Sequence, residues 1–323
     1  MQPIRLGLVG AGPWGRNIIK TFARLPKSYA SLQWVVSTNP EIDELLPAGC
    51  ERFATLQEAL SFSKPDGAII ATPPATHAEI AFEAIKAGCH LFIEKPVTLC
   101  SKEAKEIKAL AEKHNRLVLV DHIHLFNPPF VKMLTGLVRE GGPVHIESIS
   151  GGNGPFREDT SALWDWGAHE ISITLALLTT TEEENPITRI SIDREIDAEE
   201  DPKAPRTKDG DNYNIVMSFP QGFATIITGN SFERRVRRSC ITTKETKWLF
   251  DDFGLCKLHR KSEQKDIPIP YPSTSPLESA IRGFCDALID LEKGKEVKHF
   301  SDINLGIKVV EMLEEMTTML KSE

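Results

Sequence analysis

The chain has 323 residues, enough for two domains, and its 41% apolar and 26% charged residues are typical of a globular protein. Its formal net charge of -8 and pI near 5.7 exclude a general binder of the nucleic-acid backbone, which needs a surplus of basic side chains. No apolar run approaches the about 20 residues of a membrane helix, and the first residues enter a strand pattern without a leader, so we expect a cytoplasmic protein that binds neither membrane nor nucleic acid.

The first part of the chain alternates short apolar strands with amphipathic helices. Strand patterns cover 4–9, 32–36, 67–71, 90–93 and 116–120, and helical periodicity covers 77–87 and 101–114. Near-continuous apolar strands separated by helices indicate parallel strands covered on both faces. The pattern therefore predicts an α/β fold whose first domain, residues 1–122, is a doubly wound Rossmann sheet.

The second domain, residues 123–323, is predicted to be α+β. Helices are predicted at 130–139, 161–179, 276–293 and 302–320, and a strand at 144–150. Strand patterns at 187–192, 213–219, 222–230, 239–243 and 246–250 follow one another without helices, which favours an antiparallel sheet. The charged run 193–211 is interpreted as a solvated loop.

The residues G-A-G-P-W-G, 10–15, follow the first strand and open the first helix. In that context G-x-G-x-x-G indicates a dinucleotide site: Gly10 permits the tight turn, Gly12 the approach of a pyrophosphate, and Gly15 close helix packing. Pro13 suits the first helical turn, Trp14 belongs to the same loop, and amides at the helix N-terminus hold phosphates. A merely tight turn is the structural alternative.

The end of the second strand lacks the acid expected to bind the adenosine ribose. Ser37, Thr38 and Asn39 stand there instead. An acid repels a 2′-phosphate, whereas hydroxyl and amide donors accept one. NADP is therefore favoured over NAD, with Arg16 as a candidate phosphate partner, and neither cofactor is excluded.

Two further segments carry candidate catalytic groups. Glu94 and Lys95 stand at the carboxyl end of a buried strand, where ligands of doubly wound sheets bind, although a solvated strand end is the alternative. Asp165 and His169 are spaced i and i+4 on a predicted helix, so both project from one face. A histidine beside a carboxylate suits general-base catalysis, and a structural pair is the alternative.

Several segments together resemble the Gfo/Idh/MocA family of nicotinamide-dependent sugar and polyol oxidoreductases. They are GLVGAGPWG, ATPPATH (71–77), AGCHLFIEKP (87–96), FNPPF (126–130) and WDWGAHE (164–170). The resemblance covers nearly the whole chain. It implies a Rossmann domain followed by an α+β domain with an open, largely antiparallel sheet, whose outer face serves assembly as a homodimer or homotetramer.

The resemblance also implies roles for particular residues. Lys95 is the catalytic lysine, Glu94 a ligand of the nicotinamide ribose, His169 the general base, and Asp165 the partner of a neighbouring substrate hydroxyl. The residues expected to line the dinucleotide cleft are Thr72, Pro73 and His77. Ser172 stands where many relatives carry an acid, and Glu170 follows the histidine as in relatives similar to nucleotide-sugar 3-dehydrogenases, which leaves the substrate open.

The remaining expectations concern the substrate side. His122 and His124 alternate along a predicted strand and so point the same way. His122, Asn127 and Trp164 are candidate substrate contacts; polar residues at a strand end and, for the tryptophan, core or interface packing are the alternatives. The basic stretch 232–238 is interpreted as a solvated strand edge, with contact to a substrate diphosphate as the alternative. The six cysteines have no zinc-ligand spacing, so no metal is expected.

The sequence thus favours an NAD(P)-dependent dehydrogenase or reductase that acts on a sugar, nucleotide sugar or cyclitol. The alternative is a dinucleotide-binding sensor without turnover, since a fold alone does not establish a function. Retention of Lys95 together with Asp165 and His169 favours the enzyme, because a sensor does not need proton-transfer groups.

Overall fold

A computed structural model describes residues 2–156, 160–181, 185–194, 210–261 and 265–322. The chain divides into two compact units, one of Met1–Ile123 with Ser275–Val310 and one of His124–Thr274 with Glu311–Glu323. Most of the charged run 193–211 lies outside the described residues.

The first unit contains a six-stranded sheet in which all neighbouring strands are parallel. Its elements are β1 (Ile4–Val9), α1 (Pro13–Phe22), β2 (Ala30–Val36), β3 (Glu51–Phe53), α2 (Leu56–Phe62), β4 (Gly67–Ile70), α3 (His77–Lys86), β5 (His90–Glu94), α4 (Ser101–Lys113) and β6 (Val118–Asp121). The strand order β3-β2-β1-β4-β5-β6 confirms the predicted doubly wound Rossmann sheet. β1, β4 and β5 are almost wholly buried, as their continuous apolar runs predict.

The second unit contains an eight-stranded sheet and two of the helices. Its elements are α5 (Pro128–Val138), β7 (His145–Asn153), a π-helical turn (Leu163–Gly167), α6 (Ala168–Leu178), β8 (Arg189–Arg194), β9 (Asn212–Phe219), β10 (Gly222–Gly229), β11 (Ser231–Thr242), β12 (Lys247–Asp251), β13 (Leu258–Lys261) and β14 (Asp266–Pro268). The order is β14-β13-β12-β11-β7-β10-β9-β8, and among these described strands only β7 and β10 are parallel neighbours. The predicted largely antiparallel sheet is confirmed.

Two helices close the chain, α7 (Pro276–Glu292) and α8 (Ile303–Ser322). Residues 275–310 were predicted to belong to the second domain, whereas the structure groups this segment with the first unit. The reason is the apolar face of α7: the Phe284 ring stacks on Phe92 of β5 with centroids 5.4 Å apart. Tyr29 also donates a 2.8 Å hydrogen bond to Asp286. α7 therefore covers the Rossmann sheet.

One local prediction is wrong, and another holds for only part of its segment. β6 ends at Asp121 and a 3-10 helix, Ile123–Phe126, follows, so His122 and His124 do not alternate along a strand. The basic stretch 232–238 lies in β11, where Glu233, Arg234 and Arg235 are exposed, as predicted for a solvated stretch, whereas the next two residues, Val236 and Arg237, are buried where the strand pairs with β7. Arg237 of that stretch is only 4% exposed.

No helix among the described residues has the length and apolar character needed to cross a membrane. Within the same part of the chain, His, Cys, Asp and Glu side chains form no group of three or more that is suited to hold a metal ion.

Candidate active site

The turn between β1 and α1 leaves open space at one glycine only. Gly10 has φ of +98°, and a Cβ there would lie 2.6 Å from the carbonyl oxygen of Ala71. A Cβ on Gly15 would collide with the carbonyl oxygen of Gly10. A Cβ on Gly12, by contrast, would meet no atom within 4 Å. The outer two glycines are thus required by the protein's own packing, and the middle one faces a space that a ligand can enter.

A cleft of about 590 Å³ adjoins this turn. Its lining residues are Gly10, Ala11, Gly12, Pro13, Arg16, Val36, Ser37, Thr38 and Asn39. The structure therefore brings most of the residues predicted for phosphate and ribose binding to one cleft, including Arg16. Trp14 lies in the same turn, although its indole nitrogen is buried.

The end of β2 is ordered by hydrogen bonds and flanked by two arginines. The backbone N–H of Asn39 donates to Ser37 Oγ at 3.2 Å. Arg16 Nη2 lies 3.5 Å from Glu41 Oε2. Arg52 donates to the Ser37 carbonyl oxygen at 3.4 Å and pairs with Asp43 at 2.6 Å. Sequence reasoning missed Arg52 because its strand, β3, has only three residues and was not predicted.

Glu94 and Lys95 lie at the carboxyl end of β5, as predicted, and the Lys95–Pro96 peptide bond is cis. Asp121 at the end of β6 is the register partner of Glu94. Burial raises the pKa of Glu94 well above its ordinary value, and the neighbouring Asp121 raises it further. Burial raises the pKa of Asp121 to about 6. The strand ends thus bring two acids together, of which only Glu94 was predicted from the sequence as a site residue.

His77 is fully buried. Its Nε2 lies 2.8 Å from the carbonyl oxygen of Thr72, and its Nδ1 lies 3.1 Å from that of Pro96. Burial lowers the pKa of His77, and the carbonyl partners oppose this effect. His77 therefore ties the loop after β4 to the segment that follows Lys95, and it positions both. Thr72 is half-buried and Pro73 is exposed, so both remain accessible to a ligand.

The second unit carries the other candidate catalytic pair. Asp165 lies in the π-helical turn and His169 in the first turn of α6, and both are half-buried. The predicted continuous helix thus contains a wider turn here, a feature that is frequent at functional sites. The ring of His124 packs edge-on against His169, with centroids 4.6 Å apart and planes at 80°. Trp164 donates its indole N–H to Thr317 at 3.0 Å, which fixes the ring beside Asp165.

Buried polar contacts hold the surroundings of His169. Glu170 forms a 2.6 Å ion pair with Arg237 of β11, and the two side chains are 1% and 5% exposed. Burial lowers the pKa of Arg237, and the Glu170 carboxylate opposes this effect. Ser172 Oγ donates to the carbonyl oxygen of His169 at 2.7 Å. No diphosphate role follows for Arg237, because its guanidinium is already paired inside the unit.

Two predicted substrate contacts are buried. Asn127 is 2% exposed and its amide donates to Asp252 at 3.2 Å. His122 is 1% exposed, and burial lowers its pKa to about 3, with Lys95 contributing. The imidazole of His122 is therefore neutral, and its role at the substrate stays a prediction.

Comparisons with known proteins agree with this fold. The model of an oxidoreductase family with an NAD-binding Rossmann fold matches residues 4–122. The crystal structure of a protein from Magnetospirillum magnetotacticum MS-1, provisionally classed as an oxidoreductase, is 31% identical, with a TM-score of 0.82 over 97% of this chain and 99% of the other.

The curated relatives with named activities include two dehydrogenases. UDP-N-acetylglucosamine 3-dehydrogenase from Acidithiobacillus ferrooxidans is 28% identical over 182 residues, and scyllo-inositol 2-dehydrogenase (NADP(+)) from Bacillus subtilis is 25% identical over 189 residues. Each match covers 55% of this chain, and the chain spans about half the length of these curated relatives. A solved structure of the first is 22% identical, with a TM-score of 0.79 over 99% of this chain and 98% of the other, which establishes the likeness of fold.

Proposed function

The chain belongs to the Gfo/Idh/MocA family of oxidoreductases, and on that premise we propose that it transfers a hydride between NADP or NAD and a hydroxyl-bearing carbon of a polyhydroxylated substrate. One observation carries the proposal. The first unit combines a glycine turn that borders an open cleft with a lysine at the carboxyl end of β5 in the same sheet, and doubly wound sheets bind their ligands at the carboxyl ends of their strands.

The residues of the first unit fit a dinucleotide. The open space at Gly12 suits a pyrophosphate, and backbone N–H groups at the start of α1 suit its charge. Ser37, Thr38 and Asn39 would hold the adenosine ribose, with Arg16 beside them in the same cleft. Absence of an acid at the end of β2 favours NADP over NAD, and an NADP-dependent relative supports this choice.

Bound nicotinamide supplies the hydride acceptor or donor. Glu94 would hold its ribose, and Thr72 and Pro73 would border it. His77 would act indirectly, because it fixes the carbonyl groups of Thr72 and Pro96.

Three side chains are assigned to the proton transfer and its charge. His169 would take the proton of the substrate hydroxyl as the hydride leaves and return it in the reverse direction. Asp165 would hold a neighbouring hydroxyl, and the Lys95 ammonium would stabilise the charge that develops on the substrate oxygen. The edge-on packing of His124 and the Ser172 hydrogen bond keep the His169 ring and backbone in place.

The substrate class is a sugar, nucleotide sugar or cyclitol, and UDP-sugars and inositols are the first compounds to test because relatives act on them. Trp164 would offer its ring face to a sugar. The same proposal includes assembly as a homodimer or homotetramer through the eight-stranded sheet. It also includes a cytoplasmic location.

The proposal is tested by fluorescence titration of the purified protein with NADPH and NADH, followed by turnover assays with UDP-sugars and inositols. We expect NADPH to bind more tightly than NADH, and the protein to turn over either UDP-sugars or inositols. His169→Asn should lower turnover at least about a hundredfold and retain dinucleotide affinity. Binding without turnover of any polyhydroxylated compound would favour a sensor, and absence of binding would refute the proposal.

A further inference from the structure

Two carboxyl groups face each other at the carboxyl ends of β5 and β6. Glu94 and Asp121 are register partners on these neighbouring strands, and Asp121 is 1% exposed. Glu94 Oε1 and both Asp121 oxygens are buried, and no N–H or O–H donor of the described residues makes a well-formed hydrogen bond to them. Two ionised acids in this arrangement would repel each other in a place where water cannot screen them.

The charged and polar groups packed around the pair cannot neutralise two negative charges. The Lys95 ammonium attracts both acids, and the Lys95 backbone N–H bonds to Glu94. Trp14 of α1 brings its indole N–H towards Asp121, which lowers the pKa of that acid without removing a charge. His122 beside Asp121 is neutral. Among the described residues, Lys95 is therefore the positive group that acts on both acids, and it supplies one charge for two carboxyl groups.

We propose that Glu94 and Asp121 share a single proton, so that Glu94 is a neutral acid whose O–H donates to the Asp121 carboxylate. Asp121 is then a positioning residue: it fixes the Glu94 side chain at the nicotinamide end of the cleft and leaves one negative charge opposite Lys95. The other Glu94 oxygen remains available as an acceptor for a ribose hydroxyl. Two carboxyl groups that share one proton are a known solution to the repulsion between close acids.

The direction of the pKa shifts agrees with this arrangement. Burial and the facing acid raise the pKa of Glu94 well above its ordinary value, whereas Asp121, with a pKa of about 6, receives the hydrogen bond. Near neutral pH the pair therefore holds one proton. Below about pH 6 Asp121 takes a second proton, loses its charge and no longer accepts the Glu94 hydrogen bond in the same way.

Infrared spectroscopy of the dinucleotide-free protein detects the shared proton directly when the spectrum of Glu94→Gln is subtracted from that of the wild type. We expect the wild type to show the C=O stretch of one protonated carboxylic acid at about pH 7, and this band to be missing in Glu94→Gln. Exposed Glu103 on α4 provides the matched control, and Glu103→Gln should retain the band. Absence of the band in the wild type, or its persistence in Glu94→Gln, would overturn the proposal. If Glu94→Gln does not fold, ¹³C-labelled glutamate in the wild type must shift the band.

The role of Asp121 rests on the proposed function and is measured by NADP⁺ binding. Below about pH 6 we expect the dissociation constant of the wild type to rise by up to about tenfold per pH unit relative to that of Asp121→Asn. The ratio of the two dissociation constants cancels the effect of protonation of NADP⁺ itself, because both proteins bind the same ligand. A ratio independent of pH would leave Asp121 without a positioning role. Failure of NADP⁺ and NAD⁺ to bind at all would refute the proposed function instead, and the infrared result does not depend on it.

Discussion

Replacing Arg237 with methionine is expected to destabilise the second unit strongly, because it leaves the Glu170 carboxylate buried without its cation. Arg237 Nη1 lies 2.6 Å from Glu170 Oε1, and the side chains are 5% and 1% exposed. Water therefore cannot take the place of the guanidinium. Removal of one partner from such a buried pair costs about 3–5 kcal/mol of unfolding free energy.

Two further variants separate lost charge compensation from lost packing. Replacing both Arg237 and Glu170 with methionine removes both charges, so most of the stability should return. Arg194→Met is the control for an exposed pair: Arg194 lies 3.5 Å from Asp211, with side chains 59% and 40% exposed. The control should lose less than about 1 kcal/mol.

The assay is equilibrium urea unfolding followed by tryptophan fluorescence. Trp164, Trp166 and Trp248 lie in the second unit and report its transition, whereas Trp14 and Trp34 lie in the first. If the unfolding free energy of Arg237→Met lies within about 1 kcal/mol of that of the wild type, the ion pair does not stabilise the second unit as argued. A double variant as unstable as the single one would assign the loss to packing.

Three other substitutions test the candidate site. Lys95→Ala should lower turnover by about 10²–10⁴ while dinucleotide affinity is nearly unchanged, as measured by steady-state kinetics and fluorescence titration; unaltered turnover would remove Lys95 from the mechanism. Ser37→Asp should raise the dissociation constant for NADPH at least about tenfold and lower that for NADH, because the new carboxylate repels a 2′-phosphate and accepts ribose hydroxyls. If NADPH binding does not weaken, Ser37 does not lie at the 2′ position. Gly12→Ala should leave the melting temperature unchanged, since its φ is -64° and its Cβ meets no atom. The same variant should bind both dinucleotides at least about tenfold more weakly in the titration, and full affinity would place the pyrophosphate elsewhere.

Features that depend on one segment of the chain were predictable from the sequence. The glycine turn could be placed because its three glycines, its strand and its helix are contiguous in residues 4–22. Glu94 and Lys95 could be placed at a strand end because the apolar run of β5 stops there. The π-helical turn at Leu163–Gly167 was not predictable, since the spacing of apolar residues there fits an ordinary helix equally well.

Features that depend on pairing between distant segments could not be predicted from the sequence. Arg237 has the composition of a solvated basic stretch, and its burial depends on Glu170, 67 residues earlier in the chain. Arg52 reaches Ser37 from a three-residue strand too short to show periodicity.

The Glu94 and Asp121 pair shows that contacts between distant segments also decide protonation states, which the sequence does not reveal. Each acid alone is a charge at the end of a buried strand, and the sequence contains no sign that the two strands are neighbours in register. Their adjacency changes the expected charge of Glu94 from negative to neutral, because two facing buried acids hold a proton that a single acid beside a lysine would release. The protonation state of a residue correctly placed from sequence is therefore decided by its cross-strand partner.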